Sequence, residues 1–181
     1  MPESEGSGLE RIEHIVVLML ENRSFDHMLG YLRLEGGRED LEGLQPGMAN
    51  RHGDRPYPVH HLKKAHLPDG HWDPDHSAAA TDRSINGGAM DGFAASYAGT
   101  LAGRGVREPD PGIVMGYHNA TDLPVYDHLA EQFCVCDHWH SSVPGATWPN
   151  RLDALAGSAA GSRDDQRHPS HRRSLHPAGQ P

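Results

Sequence analysis

Residues 15–20 read IVVLML and run directly into residues 21–27, ENRSFDH. The first stretch is apolar without alternation and rich in Val and Ile, the pattern of a parallel strand covered on both faces. It predicts a buried strand over residues 14–20. The strand ends in an acid, a carboxamide, a base and a hydroxyl: Glu21, Asn22, Arg23 and Ser24. In open α/β sheets such groups at a strand end face a crevice, where they are available for chemistry.

Working outward, Ser24 is a candidate N-cap with His27 three positions into the helix. Phe25, Met28, Leu29 and Leu32 supply an apolar face at spacings of three and four, and Gly36 and Gly37 end it. Residues 37–76 are polar, with several Pro, Gly and His, and read as a long excursion that shapes a site rather than a packed element. In residues 84–99, SINGGAMDGFAASYAG, Gly87 and Gly88 make a turn and a helix follows over about residues 89–97. Asn86 and Asp91 belong to that turn and helix start. Residues 101–112 read as another loop. Residues 123–133 predict a helix with Leu123, Val125, Leu129 and Phe133 on its apolar face. Residues 133–137, FCVCD, predict a second short buried strand. Pro144 and Gly145 then break the chain, and Thr147 precedes Pro149, which suits a first helical turn. Thr147 is therefore a candidate N-cap for a helix running to about residue 160.

The chain has 181 residues, enough for one domain with a core. Only 36% are hydrophobic, and Gly and Pro number 21 and 14, so the expectation is a loop-rich α/β domain. A formal net charge of −9 argues against a nucleic-acid partner, because phosphate backbones need Lys and Arg clusters. Fifteen His residues reflect composition bias or a metal-buffering role. Cys134 and Cys136 are too close for an easy disulfide and lack metal-knuckle spacing, so they read as small apolar side chains. No apolar run reaches the length of a membrane span, and the polar, acidic N-terminus has no secretory signal. The expected location is cytoplasmic. Residues 1–11 read as disordered and residues 12–161 as the folded part. Residues 162–181 read as a disordered polar tail, with too little apolar surface to fold; a truncation or a change of reading frame near residue 162 would account for the shift.

A hydrolytic site needs a nucleophile, a countercharge and an acid for the leaving group. Thr147, at a helix start, is the nucleophile candidate, since a divalent cation and a helix N-terminus both favour its anion. Glu21 and Asn22 offer the oxygens a hard cation prefers. If their strands are parallel neighbours, both sets reach one crevice.

Three blocks carry a resemblance. They are IEHIVVLMLENRSFDHMLGYL, DPDHSAAATDRSINGGAMDGF, and VMGYHNATDLPVYDHLAEQFCVCDHWHSSVPGATWPNR. In this order they resemble the bacterial phosphoesterase family of non-haemolytic phospholipases C and acid phosphatases. The resemblance implies an alkaline-phosphatase-like α/β/α sandwich with a mostly parallel sheet, present here in part, and hydrolysis of phosphate esters, phospholipids among them. It implies a divalent metal ion bound by Glu21, Asn22 and Thr147, with Thr147 as nucleophile. His76 is implied as a phosphate-contacting or acid residue; read by itself it is an exposed loop histidine. Asn150 and Arg151 brace the turn and are candidates for substrate binding, Arg151 as a phosphate clamp.

A later block of the family, resembling DEHGGFYDH, supplies further ligands and does not occur in this sequence, as though a C-terminal half were missing. Two protein oxygens and a hydroxyl fall short of the usual coordination. The expectation is therefore weak metal affinity and little turnover. The alternative is a non-catalytic fragment that binds metal or phosphate.

Overall fold

Ser24 does cap a helix. In the computed structural model, which describes residues 8–20, 23–63, 72–107 and 110–165, its hydroxyl accepts from the backbone N–H of His27 at 3.2 Å. This satisfies one of the donors that a helix start leaves open. The helix comes in two short pieces, α1 (Phe25–Met28) and α2 (Tyr31–Leu34). Only glycine fits at position 30 between them: a Cβ there would lie 2.6 Å from the Asp26 carbonyl oxygen and 2.8 Å from Leu44 Cγ. Tyr31 and Leu32 are buried with Leu41, Leu44, Tyr117 and Ala130, which together form the core.

The polar excursion is more ordered than its composition suggests. β1 (Ala49–His52) and β2 (Arg55–Pro58) pair as an antiparallel hairpin around Gly53 and Asp54. Each strand buries one residue, Asn50 and Tyr57, and these two face each other in the register. β3 (His60–His61) then pairs in parallel with β4 (Gly116–Tyr117).

α3 (Ala78–Ile85) was not expected. Its cap, Ser77, accepts from the Ala80 N–H at 3.2 Å. Asn86 ends it in the left-handed region at φ 45°, a conformation Asn tolerates, and its side chain donates to Asp91 Oδ1 at 2.8 Å. The turn reading of the NGG segment therefore holds. The helix beyond it, α4 (Phe93–Gly103), starts later than predicted. Ala94, Tyr97, Ala98 and Leu101 are its buried face, packed on α3, β1 and the 3-10 turn Pro111–Met115. Asn50 ties β1 to this helix by accepting from the Ala94 N–H at 3.3 Å. α5 (Pro124–Gln132) and α6 (Thr147–Ala156) complete the described elements.

Three expectations are corrected. Residues 14–20 form no strand, and their side chains face outward, with Ile15 83%, Val16 90% and Leu18 80% exposed. A parallel strand needs neighbours along its edges and cover on its faces, and the described residues pair elsewhere. Residues 133–137 are irregular, Phe133 is exposed, and so are both cysteines. The apolar stripe of α5 points outward at Val125 and Leu129, while Ala130 is the residue it buries. The architecture is thus mixed α/β with two two-stranded sheets among the described residues, one of them parallel. These two small sheets do not by themselves make up the expected sandwich. Among the described residues no helix is long and apolar enough to cross a membrane.

Candidate active site

Thr147 opens α6, but as its first helical residue rather than its cap, a place taken by Ala146 with an extended backbone. The turn ahead of it is braced from within the helix. The Asn150 carboxamide accepts from the Val143 N–H at 2.9 Å, and donates to the carbonyls of Val143 at 2.9 Å and Ala146 at 3.0 Å. Asn150 is therefore engaged in holding the turn. Pro149, buried, sits in the first helical turn where its missing N–H costs nothing.

A second brace comes from residues the sequence placed in a disordered tail. Arg163 O accepts from the Ala146 N–H at 2.9 Å, and a Cβ on Gly145 would lie 2.2 Å from that same oxygen. Asp165 Oδ1 accepts from the Trp148 N–H at 2.8 Å. Asp164 Oδ1 accepts from the Ala78 N–H at 2.6 Å, at the start of α3. At residues 162–165 polar contacts rather than apolar burial hold the chain. Residues 166–181 lie outside the described residues.

His76 stands two residues before α3, with Nε2 2.9 Å from Asp73 Oδ2. In the same loop Asp75 accepts from the Ser77 N–H at 2.9 Å, and that bond holds its carboxyl below the ordinary range.

A cavity of about 660 Å³ brings these parts together. It is lined by Leu20 and Arg23 from one end of the chain, by His76, and by His140, Thr147, Asn150 and Arg151 from the other. Glu21 and Asn22 lie outside the described residues, although the residues on either side of them, Leu20 and Arg23, both line the cavity. His140 was missed by the sequence reading; the only signal was its place in HWH just ahead of the Thr147 turn. Among the described residues no group of three or more His, Cys, Asp or Glu is arranged to hold a metal ion. The described cavity wall offers hydroxyl, imidazole and carboxamide donors but no carboxylate, which falls short of what a hard divalent ion takes.

A larger, mainly apolar cavity of about 680 Å³ adjoins it, sharing Arg23, Ser24 and His76 and lined by Leu44, Phe93, Ile113 and Met115 among others. His27 lies on its wall. Its Nδ1 is 3.0 Å from the Gly116 carbonyl oxygen, and its own carbonyl accepts from the His118 N–H at 2.9 Å. Burial is the larger influence on His27 and pushes its pKa down, partly opposed by the Gly116 bond.

The model of the Phosphoesterase family matches residues 12–180. The chain belongs to the Phosphoesterase family. Among its relatives it is 32% identical to non-specific phospholipase C5 of Arabidopsis thaliana over 182 residues, covering 90% of this chain and 33% of the relative. It is 33% identical to the hemolytic phospholipase C of Pseudomonas aeruginosa, covering 90% of this chain and 21% of that one. Phospholipase C A of Mycobacterium tuberculosis is 34% identical, with 83% of this chain and 30% of the relative covered. This phosphoesterase chain therefore spans about a third or less of the length of these relatives.

Proposed function

We propose that this phosphoesterase hydrolyses phosphate ester bonds in the manner of a phospholipase C, with Thr147 as its nucleophile. The observation that carries the reading is the single cavity lined by Thr147, His76 and the two residues flanking Glu21 and Asn22. Segments more than a hundred positions apart meet there, as the chemistry requires.

In this reading Thr147 Oγ releases its proton to solvent and attacks phosphorus, the bond from phosphorus to the ester oxygen breaks, and a phosphothreonine forms. His76, steadied by Asp73, gives its proton to the departing alcohol oxygen. Water then cleaves the phosphothreonine: His76 takes back a proton from the water and the released Thr147 oxygen regains one from solvent. Asn150 keeps the turn in shape, and Arg151 and Arg23 supply positive charge at the cavity wall. A divalent ion held by Glu21, Asn22 and the Thr147 hydroxyl would lower the hydroxyl's pKa. The apolar cavity next door supports an ester whose alcohol is apolar, as in a phospholipid, over a small soluble ester.

The experiment is an assay of the chain on p-nitrophenyl phosphorylcholine with Mg, Ca, Mn or Zn added. Turnover lost by a factor of about 10³ or more in Thr147→Ala supports the reading; turnover that survives the substitution defeats it. A second reading is favoured by the exposed run at residues 15–20 and by the lack of a carboxylate on the described cavity wall: the chain binds metal or phosphate without turnover. Saturable phosphate binding with no release of p-nitrophenol would establish that alternative.

A further inference from the structure

Residues 163, 164 and 165 are consecutive, and each reaches a different part of the candidate site. The Arg163 guanidinium grips both oxygens of Asp82 on α3, at 2.6 and 3.1 Å, and also donates to the Pro144 carbonyl at 2.7 and 3.1 Å. Asp164 receives the Ala78 N–H at the α3 start, and Asp165 the Trp148 N–H at the α6 start. One helix begins two residues after His76; the other begins at Thr147. None of the three residues lines either cavity.

We propose that Arg163, Asp164 and Asp165 form a positioning strap that locks the starts of α3 and α6 to each other, so that His76 and Thr147 face the same phosphate. The proposal rests on the phosphoesterase reading above. The strap acts through the backbone. A helix start leaves N–H groups open, and a carboxylate that fills one fixes the direction of the first turn. Here two adjacent carboxylates do so for two helices at once, so the separation of the helix starts is set by the span of one dipeptide. The planar fork of Arg163 on Asp82 adds orientation that a Lys would not supply. The Asp82 carboxyl is held below its ordinary range by that fork. The close passage of Arg163 O over Gly145 seats the strap against the turn before Thr147. Positioning of this kind matters because a misplacement of about 1 Å at a reacting group costs on the order of 10²-fold in rate.

The test uses the full 181-residue chain in magnesium buffer, with inorganic phosphate as the probe. Resonances of the Thr147 amide and the His76 ring are followed by NMR, and exchange of the Ala78 and Trp148 amides is measured alongside. In the unaltered chain both resonances shift with one Kd. The Asp164→Ala/Asp165→Ala double variant should weaken phosphate at least 10-fold and split the two resonances into separate responses. Asp164→Asn/Asp165→Asn, which keeps an acceptor at both sites, should return to within 3-fold of the original. Phosphate affinity unchanged in the alanine variant overturns the positioning role even if the two amides exchange faster, since the contacts would then be structural only. Phosphate that moves neither resonance in the unaltered chain defeats the reading of the cavity, and the strap's role with it; that failure is seen before any variant is compared.

Discussion

The Asn150 carboxamide and the Val143 backbone exchange two hydrogen bonds, N–H to Oδ1 and Nδ2–H to the carbonyl, each 2.9 Å. With the third bond to the Ala146 carbonyl, every strong hydrogen-bonding direction of this side chain but one is committed to the turn before Thr147. Asn150→Ala should lower stability by about 1–3 kcal/mol, since it leaves part-buried backbone groups unpaired. Asn150→Asp keeps the acceptor for Val143 N–H but sets a carboxylate against two carbonyl oxygens. Those oxygens raise the folded-state pKa of the new acid. Its deficit relative to Asn should therefore be largest at neutral pH and shrink as pH falls through the raised value toward the ordinary carboxylate pKa of about 4, which urea unfolding at pH 4 and pH 7 would show.

Two glycines should respond oppositely to alanine. At Gly145 a Cβ would lie 2.2 Å from Arg163 O, so Gly145→Ala must push residue 163 and its bonds away, at a cost of about 1–3 kcal/mol. At Gly99, in α4, nothing lies within 4 Å of the added carbon. Gly99→Ala should stabilise by about 0.5–1 kcal/mol through helix propensity. Paired thermal melts of the two variants check both signs.

Tyr31 donates to Asp127 Oδ1 at 2.5 Å and Tyr117 to Glu35 Oε1 at 2.6 Å. Burial first, and then these carboxylates, raise both phenols; Tyr117 is pushed up to about 12. A folded-state pKa above the unfolded one means that the stabilisation is whole below the ordinary tyrosine value of about 10. It is lost as pH rises through the folded value. Stability should fall between about pH 10 and 12, and the Tyr31→Phe/Tyr117→Phe variant should show a flatter decline there, beginning from a lower stability at pH 8.

The exposed run at residues 15–20 should govern association rather than folding. Val16 and Leu18 are 90% and 80% exposed, so Val16→Glu/Leu18→Glu should leave the unfolding free energy within about 0.5 kcal/mol of the original. Dye binding by exposed apolar surface and the aggregated fraction on size exclusion should both drop. An unfolding midpoint that collapses instead would show the run to be packed.

Much of the local structure was legible. Ser24 was recognised as a cap from its neighbours, the NGG turn from its glycines, α5 within a residue or two, and the start of α6 from Thr147 and Pro149. Such features depend on groups within about four positions of one another, and the sequence carries all the information they need. The hairpin at residues 49–58 was overlooked because its strands are short and polar, each with a single buried residue, Asn50 or Tyr57. The strand expected at residues 14–20 failed for the converse reason: its composition was right, but a strand exists only through the ladder a neighbour provides.

By itself, then, the sequence determined the family, the starts of the helices at Ser24, Pro124 and Thr147, the NGG turn, and the chemical types brought to the candidate site. Tertiary structure alone decided which apolar runs were covered, and that Leu20, Arg23, His76 and Thr147 would share a cavity. It also decided that a polar segment with nothing to bury would be held at residues 163–165 by two helix starts and an aspartate. Caps and turns are satisfied by near neighbours. Burial, ladders and long-range carboxylate contacts depend on partners tens of positions away, whose arrival no local pattern records.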